Sequence, residues 1–349
     1  MEKSAAKNIL RIAQLNIGYF KGRRVIRTVA RDLDLNLKEG EFVCLLGANG
    51  SGKSTLMRTI AGVQPAIKGE VLLNDTQLKK LKPIQIAQRL SMVLTEKITV
   101  GNLSVQALVS LGRAPYTGWL GRLQPQDQEM VDWALESTGT TEFRHRNVNQ
   151  LSDGENQKVM IARALAQDTP LILLDEPTAH LDLPNRVMIF KLLRKLAKQT
   201  GKAILLTTHE LDLALQAADR IWLMGKKNEQ GECQIATGTP EDLVLNGTFE
   251  RAFAKDGFHF DKHTGAFKIN EPNQKEVYLQ GEGVLAFWTQ RALEREGYLV
   301  TNQADVAWKV ILSGDDPLDY CWTIKINDSE NTCHSIEELL KVLSAQSHH

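Results

Sequence analysis

Apolar and polar positions divide most of the chain into short apolar runs and segments of helical periodicity. Between Ile9 and Ala254, the apolar runs indicate buried strands, and the segments with apolar residues every three or four positions indicate helices. Buried strands that alternate with helices predict a parallel sheet covered on both faces. This region is therefore expected to have the α/β fold class.

The pattern also predicts the order of these elements. Two β-like runs, LRIAQLNIGYF and LDLNLKEGEFVCLLG, come first, and the second ends in a buried strand from Phe42 to Leu46. GEVLLND indicates another strand, and the pattern is mostly helical from about Pro83 to Ala166. Two further buried strands, in PLILLDE and KAILLTTH, each precede a helical segment. The polar residues that end these buried strands are the candidates for chemistry.

The pattern changes after about Phe249. KEVYLQG, GVLAFWTQRALEREGY, DVAWKVILSG, DYCWTIKIND and CHSIEELLKVLSA indicate strand, helix, strand, strand and helix. We therefore expect a first domain over residues 1–254, a linker over 255–274 and a small α+β accessory domain over 275–346. Its Trp288, Trp308 and Trp322 are expected in its core rather than in a ligand site.

Composition excludes some classes of partner. Lysine plus arginine and aspartate plus glutamate number 42 each, so no net charge indicates a nucleic acid partner. The sequence contains no run of about 18 consecutive apolar residues, which is the length that would indicate a membrane span. A role in transport therefore requires a separate membrane subunit.

The segment GANGSGKST follows a buried strand and precedes a helix. Its glycines allow the backbone to direct N–H groups at phosphate oxygens, Lys53 supplies a charge for the terminal phosphates, and the Ser54 hydroxyl can ligate magnesium. We expect a nucleotide and Mg²⁺ to bind here. The candidate residues are Gly47, Asn49, Gly50, Ser51, Gly52, Lys53, Ser54 and Thr55.

LILLDEP places two carboxylates at the end of a buried strand, where ligands of parallel sheets bind. Asp175 would hold the magnesium ion, and Glu176 would act as general base towards water, a role worth about 10²–10⁴ in rate. Solvated acids after a strand are the alternative, and the phosphate loop in the same chain favours the catalytic interpretation.

LSDGENQKVMIARAL begins as a polar turn and becomes a helix. A helix N-terminus presents unpaired N–H groups and partial positive charge, so it can hold an anion. In this order, the phosphate loop, LSDGE, LILLDEP, HLD and TTHE resemble the ATP-binding subunit of an ABC transporter, over roughly Ile9 to Ala254.

The resemblance implies a P-loop ABC ATPase cassette with a RecA-like parallel sheet core, an N-terminal antiparallel β subdomain and a helical subdomain over about 85–165. It also implies a head-to-tail homodimer in which LSDGE of one subunit, through Ser152, Gly154 and Glu155, binds the γ-phosphate of ATP held by the other. Tyr19 matches the aromatic residue that stacks on adenine, with an ordinary strand tyrosine as the alternative.

Two further roles follow from the resemblance. His209, after the strand ILLTT, matches the switch histidine that contacts the γ-phosphate. Asp182, in AHLD, matches the acid that signals between subunits.

The chain departs from the family pattern at two places. The signature reads Ser-Asp-Gly-Glu in place of Ser-Gly-Gly-Gln, and the charges of Asp153 and Glu155 should weaken phosphate binding unless a cation such as Lys158 or Arg163 offsets them. The glutamine that usually reaches magnesium is missing, and Thr95 or Glu96 occupies its place as a candidate metal ligand.

VQALVSLGRAPYTGWLGRL resembles the corresponding region of importers for iron chelates, haem and vitamin B12. The alternative is a loop in which Arg113, Pro115 and Trp119 pack locally. The resemblance implies a peripheral ATPase at the cytoplasmic face of the inner membrane, working as a homodimer with permease subunits and indirectly with a substrate-binding protein. A soluble ABC-type ATPase without a permease and a weakly active regulatory cassette are the competing hypotheses. Intact Lys53, Asp175, Glu176 and His209 argue against the second.

Overall fold

The computed structural model describes residues 7–22, 24–94, 102–118, 121–254, 258–262, 264–269, 275–314, 319–326 and 329–347. The chain forms two compact units, which divide between Ala254 and Lys255. Among the described residues, none of the helices combines the length and the apolar character that crossing a membrane requires.

A large mixed sheet organises the first unit. Its ten strands in the described residues are β1 (Asn8–Lys21), β2 (Arg24–Lys38), β3 (Phe42–Gly47), β4 (Lys68–Leu73), β5 (Thr76–Gln77), β6 (Leu90–Val93), β7 (Leu171–Asp175), β8 (Ala203–Thr207), β9 (Arg220–Lys227) and β10 (Cys233–Gly238). They lie in the order β5-β4-β1-β2-β10-β9-β3-β8-β7-β6.

The two sides of this sheet differ in strand direction. Strands β9, β3, β8, β7 and β6 pair parallel with one another, whereas β2, β1, β4 and β5 pair antiparallel with one another and β10 pairs antiparallel with β9. A single pair, Cys233 with Ala30, joins β10 to β2 in parallel. The α/β prediction with an antiparallel N-terminal part is thereby confirmed.

Helices flank the sheet, and some of them form a separate layer. The helices of this unit are α1 (Lys53–Ile60), α2 (Pro83–Ala87), α3 (Val105–Ser110), α4 (Pro125–Ser137), α5 (Asp153–Ala166), α6 (Leu183–Thr200), α7 (Leu211–Ala217), α8 (Pro240–Leu245) and α9 (Thr248–Phe253). Helix α5 packs on α3 and α4 through buried apolar side chains such as Val109, Val131 and Ile161. The helix that begins at LSDGE is therefore anchored in the helical layer.

The second unit is built on its own five-stranded sheet. Its elements are β11 (Phe258–Asp261), β12 (Ala266–Ile269), β13 (Lys275–Gln280), α10 (Gly283–Arg295), β14 (Tyr298–Thr301), β15 (Trp308–Ser313), β16 (Cys321–Ile326), β17 (Ser329–Cys333) and α11 (Ile336–Ser347). The sheet order is β14-β13-β15-β16-β17, and β11 pairs with β12 as a separate hairpin.

Two strands of this sheet were not expected from the sequence, β14 and β17. β14 lies directly after a helix, and β17, with the sequence SENTC, is polar and mostly exposed, so neither carries an alternating apolar pattern. The expectation for the tryptophans is confirmed for Trp322, which is buried, and wrong for Trp288, whose residue surface is 50% exposed.

Candidate functional site

The candidate site lies where three neighbouring parallel strands end. Leu45 of β3 pairs with Thr207 of β8, and Thr207 pairs with Asp175 of β7. The phosphate loop after β3, His209 after β8 and Glu176 after β7 consequently leave the sheet at the same edge. The carboxyl edge of a parallel sheet is where ligands of such folds bind.

The phosphate loop between β3 and α1 depends on its glycines. Gly52 has a φ of 113°, and a Cβ there would lie 2.2 Å from Cγ1 of Val29. At Gly47, with a φ of 152°, a Cβ would lie 2.9 Å from Met224 and from the hydroxyl of Ser51. Only glycine therefore allows the chain to curl this tightly into α1.

Lys53 is buried at the start of α1. Its Nζ donates hydrogen bonds to the carbonyl oxygens of Gly47 at 2.9 Å and Ala48 at 3.4 Å, which holds the ammonium group against the loop. Burial lowers the pKa of Lys53 from its usual value, and the charges of Glu176 and Asp175 oppose that shift. The opposing effect means that the phosphate loop and both carboxylates share one electrostatic environment.

Tyr19 lies beside the loop. Its hydroxyl and that of Thr55 are 3.0 Å apart, and the tyrosine is 42% exposed, which leaves ring surface for a planar ligand. Among the other predicted loop residues, Asn49, Gly50 and Ser54 are exposed, and Ser51 and Thr55 are buried.

Thr207 fixes both carboxylate residues, a role that the sequence analysis missed. Its hydroxyl donates to Oδ1 of Asp175 at 2.6 Å and accepts from the backbone N–H of Glu176 at 2.9 Å. Glu176 adopts a φ of 49°, which is uncommon for a residue other than glycine and is typical of functional turns. The Thr-Thr-His sequence that begins at the last residue of β8 was the available signal, but only the strand register shows that Thr207 lies beside Asp175.

Glu176 and His209 are in direct contact. Nε2 of His209 lies 2.8 Å from Oε1 of Glu176, and the two side chains are 44% and 31% exposed. At this distance the carboxylate and the imidazole form a close polar contact. The pair offers a general base and a polar contact at the same mouth of the sheet.

The signature segment forms a reciprocal cap at the start of α5. The Ser152 N–H and hydroxyl donate to Oε2 of Glu155 at 2.7 and 2.9 Å, and the Glu155 N–H donates to the Ser152 hydroxyl at 3.3 Å. Glu155 thus belongs to a capping box. The hydrogen bonds from the Ser152 backbone and then its side chain are the largest causes that lower the pKa of Glu155.

Arg146 compensates part of the negative charge that the signature carries. Its Nη1 lies 3.7 Å from Oε1 of Glu155, and the charges of Arg146 and Lys158 both help to lower the pKa of that carboxyl group. Of the two cations suggested by the sequence, Lys158 contributes and Arg163 is not among the contributing charges. Arg146 lies nine positions before Glu155 and is brought to it by the turn at 148–152, a spacing that the helix pattern does not reveal.

Gly154 of the signature packs directly against the start of α6. A Cβ at this position would lie 2.6 Å from Oδ1 of Asn185. Asp182 caps α6 and holds that asparagine, because its Oδ1 accepts from the Asn185 backbone N–H at 3.1 Å and from Nδ2 at 2.6 Å. Within one chain, the signature therefore packs against the segment around Asp182 through Asn185. The sequence analysis missed this asparagine.

The donor set at the edge fits a magnesium ion. Asp175 offers a carboxylate and Ser54 a hydroxyl, and Mg²⁺ prefers oxygen ligands and binds with nucleotides through only one or two protein groups. Within the described residues, no group of three or more His, Cys, Asp or Glu forms a metal cluster. Thr95 and Glu96, the other two candidate ligands, lie outside the described residues.

Arg113 has a packing role within the helical layer. It is buried, its Nε donates to Oδ1 of Asp127 at 2.9 Å, and its Nη1 donates to the carbonyl oxygen of Ala166 at 2.8 Å. The guanidinium also lies 4.1 Å from the ring centroid of Tyr116. The alternative of local packing therefore holds for Arg113, and Trp119 lies outside the described residues.

Family models match both units. Residues 30–179 match the ABC transporter model, and residues 274–344 match the iron ABC transporter C-terminal domain.

Curated relatives cover most of the chain. An uncharacterized ABC transporter ATP-binding protein of Methanocaldococcus jannaschii is 36% identical over 85% of this chain and 98% of its own length. The iron(3+)-hydroxamate import ATP-binding protein of Bacillus subtilis is 40% identical over 59% of this chain and 75% of its own length. Among solved structures, a dimeric bacterial ABC transporter cassette is similar with a TM-score of 0.55 and 28% identity, covering 66% of this chain and 98% of that one.

Proposed function

The chain belongs to the ABC transporter family as an ATP-binding subunit that hydrolyses ATP, and on that premise we propose that it powers import of an iron chelate, haem or cobalamin. The observation that carries the proposal is the gathering of Lys53, Asp175, Glu176 and His209 at one sheet edge, in a chain whose second unit matches an iron transporter domain. The iron-hydroxamate relative supports the substrate class.

We further infer the roles of the residues at this edge. The loop amides and Lys53 bind the phosphates of ATP, and Tyr19 stacks on the adenine ring. Glu176 accepts the proton of the attacking water, while His209 orients that carboxylate and contacts the γ-phosphate. Ser54 and Asp175 would hold a magnesium ion, which would neutralise charge that develops on the phosphates.

The proposed assembly is a head-to-tail homodimer. Ser152, Gly154 and Glu155 of one subunit face the ATP on the loop of the other, and Asp182 signals between the subunits. Binding of two ATP molecules closes the dimer and moves a membrane permease, and hydrolysis reopens it. A dimeric relative of known structure supports this arrangement.

The proposal also covers location and domain organisation. The subunit lies at the cytoplasmic face of the inner membrane on a multi-span permease that receives substrate from a binding protein. Residues 1–254 form the cassette with its helical part over about 85–165, and residues 275–346 form an accessory domain. The expected linker over 255–274 contains the β11–β12 hairpin, which belongs to the second unit.

The decisive experiment uses Glu176→Gln. Loss of the general base should lower ATP turnover by about 10²–10⁴ while ATP binding persists, so the ATP-bound dimer accumulates. Isolation of this trapped protein from native membranes should recover a multi-span permease as the main partner. Glu241→Gln, on the exposed first turn of α8, is the matched control and should keep wild-type turnover.

Two outcomes would contradict the proposal. Recovery of soluble partners alone would favour an ABC-type ATPase that works without a permease. Wild-type protein without measurable turnover, unaffected by Glu176→Gln, would favour a regulatory cassette.

A further inference from the structure

The second unit contains an open cavity between the β11–β12 hairpin and one face of α10. Its volume is about 680 Å³, within the range of about 300–1,000 Å³ that is typical of small-molecule sites. Phe267 of the hairpin, Phe287 and Trp288 of α10, and Ile336 at the start of α11 give it a largely apolar lining. The cavity belongs to none of the nucleotide-binding elements.

The aromatic side chains of α10 are more exposed than packing within the unit explains. Phe287 is 42% exposed and Trp288 is 50% exposed, and their rings meet edge to face at 5.5 Å. Trp322 of the same unit is buried, with its Nε1 donating to the hydroxyl of Thr289 at 2.8 Å. The contrast indicates that Trp288 presents ring surface to the cavity rather than completing the core.

The acidic groups of the cavity are already engaged by neighbours. Nζ of Lys268 lies 3.0 Å from Asp261 and 3.4 Å from Glu294. Gln290 Nε2 also donates to Glu294 at 2.7 Å. Both carboxylates are thus engaged, and the lining as a whole holds two acids against three basic side chains, so its net charge is positive and does not favour a cation.

Arg291 is the charged group that remains available. Its guanidinium lies 5.2 Å from the ring centroid of Trp288, and it forms no ion pair among the residues that the structure describes. The neighbouring Arg295 is paired with Glu296 at 3.1 Å. A guanidinium beside exposed aromatic rings matches a ligand with an anionic group and a flat apolar body.

We propose that this cavity binds a small, flat aromatic or conjugated organic anion. The ring system contacts Phe287 and Trp288, and the anionic group pairs with Arg291. A concave volume of this size, with one convergent cation, favours a small molecule over a flat protein interface. The site lies outside the nucleotide-binding elements.

The test uses 2-naphthoate as the probe and the full chain, with ADP in excess so that the nucleotide site is filled. Isothermal titration calorimetry should show one site per chain with a dissociation constant between about 10 μM and 1 mM, as expected for a ligand of this size. Arg291→Gln and the neutral analogue 2-naphthalenemethanol should each weaken binding at least about tenfold, because the charged hydrogen bonds are lost. Trp288→Leu should weaken it to a similar extent.

Lys341→Gln, at an exposed position of α11 outside the cavity, is the control and should bind as the wild type does. Arg291 and Trp288 lie on the surface of α10, and an unchanged melting temperature of each variant would show that the unit remains folded. The proposal is overturned if no binding heat is seen with the wild type. It is also overturned if Arg291→Gln binds 2-naphthoate as tightly as the wild type does, or if the wild type binds the neutral analogue as tightly as 2-naphthoate.

Discussion

Two helix N-termini in the cassette, those of α1 and α5, are proposed to bind ATP phosphates, and they are built in opposite ways. α1 follows Gly52, receives no side-chain cap and has no acid in its first turn, and its first residue is Lys53. α5 is capped by Ser152, and its first turn carries the acids Asp153 and Glu155. Both ends share the same backbone dipole and orphan N–H groups.

The difference indicates a division of labour. At the start of α1 no side-chain cap occupies the backbone N–H groups, and Lys53 adds a positive charge. This end can therefore bind a polyphosphate held by its own chain. The α5 end satisfies part of its donors internally and adds negative charge, offset by Arg146. We therefore expect α1 to supply affinity and α5 to respond only when an opposing subunit presents a nucleotide.

Lys53→Ala and Ser152→Ala should separate the two roles with the largest effects. Loss of the Lys53 charge should weaken ATP binding to the isolated chain by about 10- to 100-fold, the value of a charged hydrogen bond. Ser152→Ala should leave that affinity within about twofold and lower turnover instead, with about 1 kcal/mol of stability lost from the missing cap.

Equilibrium binding of a fluorescent ATP analogue and steady-state turnover measure the two effects. Lys79→Ala, an exposed residue away from the loop, is the control for loss of a positive charge. The proposed division of roles between α1 and α5 is contradicted if both substitutions weaken ATP binding to the isolated chain equally.

Gly154→Ala tests the contact between the signature and α6. The new Cβ would displace the Asn185 side chain from its bonds to Asp182, and overpacking of this kind costs about 1–3 kcal/mol. The expected fall in melting temperature is about 2–8 °C, with a parallel loss of turnover. Adding Asn185→Ala should restore much of the stability, because the obstructing atoms are removed.

Gly118→Ala, where a Cβ would meet nothing within 4 Å, is the matched control. If Gly154→Ala melts like the wild type, the signature and α6 are not in the tight contact described above.

Glu155→Gln should have the smallest effect on stability, and the size of that effect depends on pH. Because the pKa of Glu155 is lowered in the folded chain, its carboxylate contributes stability above the unfolded value of about 4.3, and this contribution is lost as pH falls through the folded pKa. At pH 7 the variant should be less stable by up to about 1 kcal/mol, and the difference should shrink at pH 4.

Thermal melting at the two pH values, with Glu129→Gln on the exposed face of α4 as the control, measures this change. A difference that stays constant between pH 7 and pH 4 would show that the ionised carboxylate does not support the cap.

Features that depend on short sequence distance were predictable. Each of three features lies within one continuous segment: the phosphate loop, the strand that ends in Asp175 and the helix that Ser152 caps. Local pattern and motif order therefore identified the α/β cassette, and the fold confirms it. β17 was missed because a polar strand is held by pairing with β16 rather than by its own pattern.

The sequence by itself determined the family, the ATPase class and the residue types at the sheet edge, since these depend on backbone curl, strand burial and chemistry encoded within a few positions. The tertiary structure alone decided that Thr207 holds Asp175, that Arg146 faces Glu155, that the Asn185 side chain packs against Gly154, and that Trp288 faces an open cavity. Each of these depends on strand register or on helix packing. The pattern of one segment does not indicate which side chains of a distant segment will contact it.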